Sequence, residues 1–202
     1  MRRTTHRTAH PLSLSLALGA IVAVGCGTSA PARFYTLDAA ARAEGGPVTR
    51  HSVLVGPVSV PAVVDRPQFV VQVAPNRVTV DEFNRWAAPL DDGIARAVAG
   101  NLIALLGTPD VAAAPLANFE PTYRVTINVQ RFESIQGEAV VIDAAWAVRK
   151  SGVTGARAGR TLARETVQDD SFEALAAAHS RALATVSGDI AAAIRAAADA
   201  KP

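Results

Sequence analysis

The sequence predicts a single α/β sandwich domain, in which a mixed β-sheet of about five to six strands carries two main helices. Several segments alternate apolar and polar residues, as half-buried strands do. Two others repeat apolar residues every three or four positions, which is typical of amphipathic helices. The predicted order is β-β-β-α-β-β-β-α. Half of the 202 residues are hydrophobic, which is enough for one core, and we expect this domain over 53–202.

An export signal is predicted ahead of the domain. Arg2, Arg3 and Arg7 precede the apolar run 12–24, and a small residue follows it. This is the layout of a secretory signal peptide. The run has about 13 residues, whereas a membrane-spanning helix needs ~20. We therefore expect 1–25 to be removed from the mature chain.

Cys26 is the only cysteine, and it directly follows the predicted signal. Ala23-Val24-Gly25-Cys26 resembles the lipobox of bacterial lipoproteins, which implies that Cys26 becomes the lipidated first residue. A thiolate is nucleophilic enough to take a lipid group as a thioether. The residues after Cys26 are small and polar and are followed by a loop with Gly45-Gly46-Pro47, so we expect 26–52 to be a lipidated tether and entry segment. The alternative is a plain signal peptide with an incidental cysteine.

Composition excludes several classes of function. Three of the 20 Lys and Arg residues lie in the signal, so 17 bases face 18 acids in the mature chain, a net charge of −1. This balance is unlike the basic face of a nucleic-acid-binding protein. A single cysteine also excludes a disulfide framework.

The sequence of the first half of the domain predicts three strands and a helix. Order is expected from Ser52. The entry segment before it contains a brief apolar patch at 34–37, which can pair or dock, and then a loop over 39–51. Strand 53–60 carries Gly56-Pro57, which indicates a bulge or an edge. Segments 68–73 and 78–80 are predicted to form a hairpin.

The helix that follows is predicted from its terminal signals. Pro89 suits its first turn, Asp91 and Asp92 favour the positive end of its dipole, and Gly107 can close it. A loop over 108–121 follows.

The second half of the domain is also predicted to form three strands followed by a helix. Strands 123–130 and 140–148 alternate regularly and form a hairpin, and 160–167 is a weaker third strand. The last helix begins with a capping arrangement of Asp170 and Glu173 and continues as an apolar stripe.

We expect no catalytic, cofactor-binding or metal-binding site in this sequence. His179 lies on the apolar stripe of the last helix, where a packed, hydrogen-bonded core histidine is expected. Neither zinc-ligand spacing, a nucleophile elbow nor a phosphate-binding loop is present. Two acidic pairs could serve acid–base chemistry, but helix capping explains them without function. These pairs are Asp91-Asp92 and Asp169-Asp170.

The two tryptophans carry different expectations. Trp146 fits the buried face of a strand. Trp86 precedes a helix, and it is either a staple onto the core or part of an exposed contact surface.

Four stretches together resemble the ABC-type transport auxiliary lipoprotein component family, the PqiC-like lipoproteins. They are 35–37, 55–68, 76–92 running into 101–102, and 177–183. Asp65-Arg-Pro-Gln and Arg85-Trp-Ala-Ala-Pro-Leu are the most specific.

The resemblance implies an auxiliary role in lipid transport, with phospholipid as the cargo class. The partners implied are an MCE-type protein that spans the periplasm and its inner-membrane ABC transporter components. Gly27 follows the cysteine where lipoproteins retained at the inner membrane usually carry Asp, so the comparison favours the periplasmic face of the outer membrane.

Segments 61–68 and 83–92 are the first candidates for partner contact, although loop and cap packing explains them equally well. The candidate residues are Pro61, Asp65, Arg66, Pro67, Arg85, Trp86 and Asp91. A structural assembly factor without lipid contact is the main rival function, and a periplasmic hydrolase is a weaker one. A homo-oligomer is compatible with the sequence.

Overall fold

The computed structural model describes residues 30–43, 48–115 and 117–199. The signal and Cys26 lie outside this part. The described residues form eight strands and two helices, so the α/β class is confirmed, with more strands than predicted. The elements are β1 Arg33–Tyr35, β2 Val53–Ser59, β3 Gln68–Ala74, β4 Arg77–Trp86, α1 Leu90–Leu106, β5 Val111–Ala112, β6 Tyr123–Ile135, β7 Ala139–Lys150, β8 Arg157–Thr166 and α2 Phe172–Asp199.

The sheet is mixed, as predicted, and it is organised around β6. Strands β7 and β8 continue it in antiparallel fashion on one side. On the other side, β2 runs parallel to the first half of β6 and is followed by β5. Strand β3 meets the second half of β6 at Ser134, and β4 and β1 follow outward. Strands β1 and β8 are therefore at opposite edges of the sheet.

A bulge explains why the predicted strand 123–130 ends five residues early. Up to Val129, the odd-numbered residues of β6 are buried. The register with β7 then shifts between Val129 and Arg131, and burial passes to Phe132 and Ser134. The extra residue reverses the alternation that identified the strand, so the pattern breaks although the strand continues.

Both helices pack on one face of the sheet. Their first and last residues can be compared with the helix-start and helix-end residues predicted from the sequence. Helix α1 carries Asp91 and Asp92 in its first turn and ends at Gly107, at φ +66°, as expected. Helix α2 corrects the prediction. Its cap is Ser171, whose Oγ accepts a hydrogen bond from the Ala174 N–H at 3.1 Å. Asp170 is not the cap, because the helix begins one residue later than expected.

The entry segment also differs from the expectation that order begins at Ser52. Strand β1 pairs with β4, and Tyr35 and Leu37 are buried. Beyond them, the Asp38 N–H donates to Ser180 and the Ala41 N–H donates to Asn101. The segment is too short to show periodicity, yet it packs on α1 and α2.

The remaining differences concern individual strands, of which β4 runs on to Trp86, six residues past the predicted 78–80. Strand β5 lies inside the predicted loop 108–121 and has only two residues, which is too few for a pattern. Strand β8 begins at Arg157, within the glycine-rich stretch before the predicted strand. The expected bulge at Gly56-Pro57 is confirmed, because the register of β2 shifts between Val55 and Val58.

Candidate docking surface

The fold brings the two candidate segments together at one corner of the sheet. The Trp86 N–H at the end of β4 donates to the Pro67 carbonyl at 2.6 Å, and Gln68 pairs with Arg85 across the ladder. The loop before β3 is a tight turn in which the Asp65 N–H donates to the Pro61 carbonyl at 3.1 Å. Loop 61–67 and the end of β4 therefore form one continuous rim, which we call the β4 rim.

The candidate residues differ in exposure. Asp65, Arg66 and Pro67 are exposed on the β4 rim. Pro61 and Arg85 are half-buried there, and Asp91 is half-buried farther along, in the first turn of α1. These residues can meet another molecule without rearrangement of the core.

Trp86 is a core residue. It is 6% exposed, and its ring stacks on Phe69 at a centroid distance of 4.1 Å. Phe132 and His179 meet the ring at 6.0 and 6.1 Å. The structure therefore supports the staple alternative for Trp86, and its backbone, not its ring, shapes the β4 rim.

His179 is the packed core histidine that the helix stripe predicted. It is fully buried, its ring stacks on Phe132 at 3.9 Å, and its Nε2 lies 2.8 Å from the Ser134 hydroxyl. Burial lowers the pKa of His179 to about 3, so the imidazole is neutral at pH 7. A serine–histidine pair can suggest nucleophilic catalysis, but this histidine is a weak base and Ser134 is itself buried. The pair holds α2 against β6.

Polar contacts fix the shape of the β4 rim. Arg85 Nε donates to the Glu82 carbonyl at 2.8 Å, and its guanidinium lies 3.7 Å from the Glu82 carboxylate. Asp81 Oδ1 accepts hydrogen bonds from the Phe83 and Asn84 N–H groups at 2.9 and 2.8 Å. Burial opposes ionisation of Asp81, but these hydrogen bonds outweigh it and the pKa is lowered. Ionised Asp81 thus holds the bend that presents Phe83.

The sheet face away from the helices carries a feature that the sequence did not reveal. Asp143 on β7 is buried, and Arg160 on β8 binds both of its oxygens, at 2.8 and 2.6 Å. The hydrogen bonds from Arg160 hold the pKa of Asp143 below its usual value. Only the strand register brings these residues together, since 17 positions separate them.

A shallow groove of about 330 Å³ opens on the same face, over β2, β6 and β7. Its lining surface is mostly apolar and comes from Pro57, Ser59, Thr126, Ile127, Asn128, Ala145, Trp146 and Ala147. The groove is open to solvent, and its lining offers van der Waals contact and a few hydrogen bonds.

Of the two acidic pairs, only the second shows a capping contact, at Asp169, because α1 begins without a side-chain cap and Asp91 and Asp92 lie in its first turn. Asp169 accepts from the Ser171 N–H at 2.8 Å, and hydrogen bonds from Ser171 lower the pKa of Asp169. Within 30–43, 48–115 and 117–199, no group of three or more His, Cys, Asp or Glu side chains is arranged to hold a metal ion. In the same ranges, every helix is too short or too polar to cross a bilayer.

The described residues thus form an α/β sandwich with an exposed polar rim and a buried serine–histidine pair. The sequence comparison gives the family. The chain belongs to the ABC-type transport auxiliary lipoprotein component family, whose family model matches residues 35–191. It is thus an auxiliary lipoprotein of ABC-type transport, and this family is not an enzyme class.

Solved structures support the fold. A crystal structure of an uncharacterized protein is 22% identical with a TM-score of 0.67, covering 82% of this chain and 99% of that chain. A crystal structure of a Xanthomonas campestris protein from the family DUF330 is 20% identical with a TM-score of 0.68, covering 83% of this chain and 100% of that chain. No curated protein matches the sequence.

Proposed function

We propose that this protein is the outer-membrane-anchored auxiliary lipoprotein of an MCE-type lipid transport system, held on the periplasmic face by acyl chains on Cys26. The family match over residues 35–191, directly downstream of an export signal and a single cysteine, carries this proposal. Phospholipid is the proposed cargo class of the system. Two or more acyl chains anchor a protein stably, whereas one chain binds only reversibly.

The domain organisation follows from the anchor. Residues 1–25 are removed, and Cys26 begins the mature chain. The tether and entry segment expected over 26–52 includes β1, which pairs with β4 of the domain. The domain therefore stays near the membrane that holds its anchor.

The proposed partner contact is the β4 rim. Its exposed charged pair, Asp65 and Arg66, stands beside Arg85 on a turn fixed by backbone hydrogen bonds. A rigid turn loses little conformational entropy on binding, which favours specific recognition. The MCE-type protein is the proposed partner at this rim, and Asp91 extends the contact toward α1.

The anchor is tested by Cys26→Ala in cells, followed by membrane fractionation and intact-mass measurement. We expect the wild-type chain to carry acyl mass and to sediment with outer membranes. The variant should lose both properties. Membrane association that is unchanged in the variant would remove the anchor from the proposal.

The partner contact is tested by Arg66→Ala, with recovery of the MCE-type protein from cross-linked cells as the readout. Arg157→Ala is the matched control, since Arg157 is also an exposed arginine but lies on the opposite edge strand. We expect lower recovery with Arg66→Ala only. Equal recovery from both variants would contradict docking at the β4 rim. The same cross-linked material would reveal self-association.

A structural assembly role without lipid contact is the second candidate. The groove on the open sheet face favours it, because a shallow groove that is open to solvent would leave much of an acyl chain exposed to water, whereas another protein could cover it. Photoactivatable phospholipid in cells separates the two candidates. Lipid cross-linked to the domain supports cargo contact, and cross-linking confined to the partner supports the assembly role.

A further inference from the structure

Along the chain, the first strand of the described domain comes shortly after the proposed anchor, Cys26. Only seven residue steps separate Cys26 from Arg33, the first residue of β1. A fully extended chain of this length spans at most about 25 Å, and a flexible one averages roughly 15 Å. The inference below rests on the acylation of Cys26 proposed above. If Cys26 is acylated, the β1 edge of the sheet cannot move far from the bilayer surface.

This edge exposes aromatic side chains that the core does not use. Phe34 on β1 is 64% exposed, although its neighbour Tyr35 is buried. Phe83 on β4 is 45% exposed. Phe34 pairs with Arg85 in the ladder, so these two side chains lie on the same side of the sheet. Phe83 is exposed two residues before Arg85, at the same edge. We call Phe34, Phe83 and Arg85 the β1 patch.

The chemistry of the β1 patch matches a lipid surface. Aromatic rings gain free energy in the boundary between headgroups and acyl chains, and arginine can reach the phosphates beside them. Arg33 and Arg66 are also exposed at this corner. Leu162 on β8 is 63% exposed at the opposite edge of the sheet, so exposure of an apolar side chain alone does not distinguish the β1 patch. Its distinguishing feature is its position at the end of a short anchor.

We propose that the β1 patch is a membrane-contact surface, which lies on the phospholipid leaflet that holds the Cys26 acyl chains. The rings of Phe34 and Phe83 enter the headgroup boundary, and Arg85 faces lipid phosphate. The anchor and the patch together fix the orientation of the domain. The β4 rim shares Arg85 with the patch, so the partner would be met next to the bilayer.

The test uses the full chain, acylated in cells, with Phe34→Cys as a labelling site. Acylation converts the Cys26 thiol into a thioether, so the new cysteine is the only free thiol. An environment-sensitive fluorophore is attached, and the protein is reconstituted into phosphatidylethanolamine–phosphatidylglycerol vesicles, with or without nitroxide lipid. Leu162→Cys is the matched control, and Phe83→Cys is the second probe if Phe34→Cys fails to fold.

We expect a blue-shifted emission at position 34 and about a twofold loss of intensity with nitroxide lipid, as for a side chain in the interface. Position 162 should show neither change. Unshifted emission from acylated, vesicle-bound protein would overturn the membrane contact and leave the anchor intact. A blue shift without nitroxide quenching would also overturn it, because the ring would then be covered by protein. If the unmutated chain itself takes the label, Cys26 is not acylated and the proposed anchor fails first.

Discussion

Substitution of Gly159 by alanine should destabilise the domain through a single contact. Gly159 on β8 pairs with Trp146 on β7, and the indole covers the glycine. A Cβ atom on Gly159 would stand 2.5 Å from Trp146 Cη2. The ring cannot turn away freely, because its Nε1 donates to Thr161 Oγ1 at 3.0 Å. The Thr161 hydroxyl in turn donates to Asp189 on α2 at 2.6 Å.

The expected cost follows from these contacts. Overpacking a filled site costs ~1–3 kcal/mol, and weakening the indole hydrogen bond adds ~0.5–1.5 kcal/mol. The φ angle of Gly159 lies outside the left-handed region, so the effect reports on packing and not on backbone strain. Each kcal/mol lowers the melting temperature of a domain of this size by roughly 2–4 °C.

Urea and thermal unfolding of the mature chain, carrying Cys26→Ser to keep it free of lipid, measure the change. Gly188→Ala is the matched control, since Gly188 lies within α2 with open space around its Cβ position. Alanine there should stabilise the helix by up to ~1 kcal/mol. In a Trp146→Leu background, Gly159→Ala should cost less, because the clash is removed. Equal stability of Gly159→Ala and the wild type would refute this account of the contact.

Two further predictions concern buried polar groups. The pKa of His179 is lowered to about 3, so the unfolded chain binds one more proton than the folded chain between about pH 3 and 6.5. The contribution of neutral His179 to the free energy of unfolding is therefore fully present above pH 6.5. Below pH 6.5 it falls by up to ~1.4 kcal/mol per pH unit. His179→Gln should flatten the pH dependence of unfolding between pH 4 and 6.5, and an unchanged slope would contradict the assignment. Asn101→Ala should cost ~1–3 kcal/mol, because it removes the acceptor of the Ala41 N–H and the donor to Ser187. The hydrogen-exchange rate should then rise at the Ala41 amide before it rises elsewhere in the domain. A uniform rise in exchange rate would contradict a local role of Asn101 in holding the entry segment.

Structural features that depend only on neighbouring residues, such as helix ends and the buried face of a helix, could be predicted from the sequence. The first-turn acids and closing glycine of α1 act within one helix, so their roles do not depend on the rest of the fold. His179 was predictable as a core residue because it repeats in register with apolar neighbours on α2. The candidate segments were found as stretches of sequence, but their adjacency was not, since it depends on one ladder between β3 and β4.

The sequence by itself determined the fold class, both helices and most of the strands, because each is a local or periodic property of the chain. Only the tertiary structure decided that Trp86 is buried, that Arg160 binds Asp143, and that β1 joins the sheet. Those outcomes depend on residues far apart in sequence that meet when the sheet forms. A three-residue strand or a lone tryptophan has no period, and its environment is set by the partners it meets.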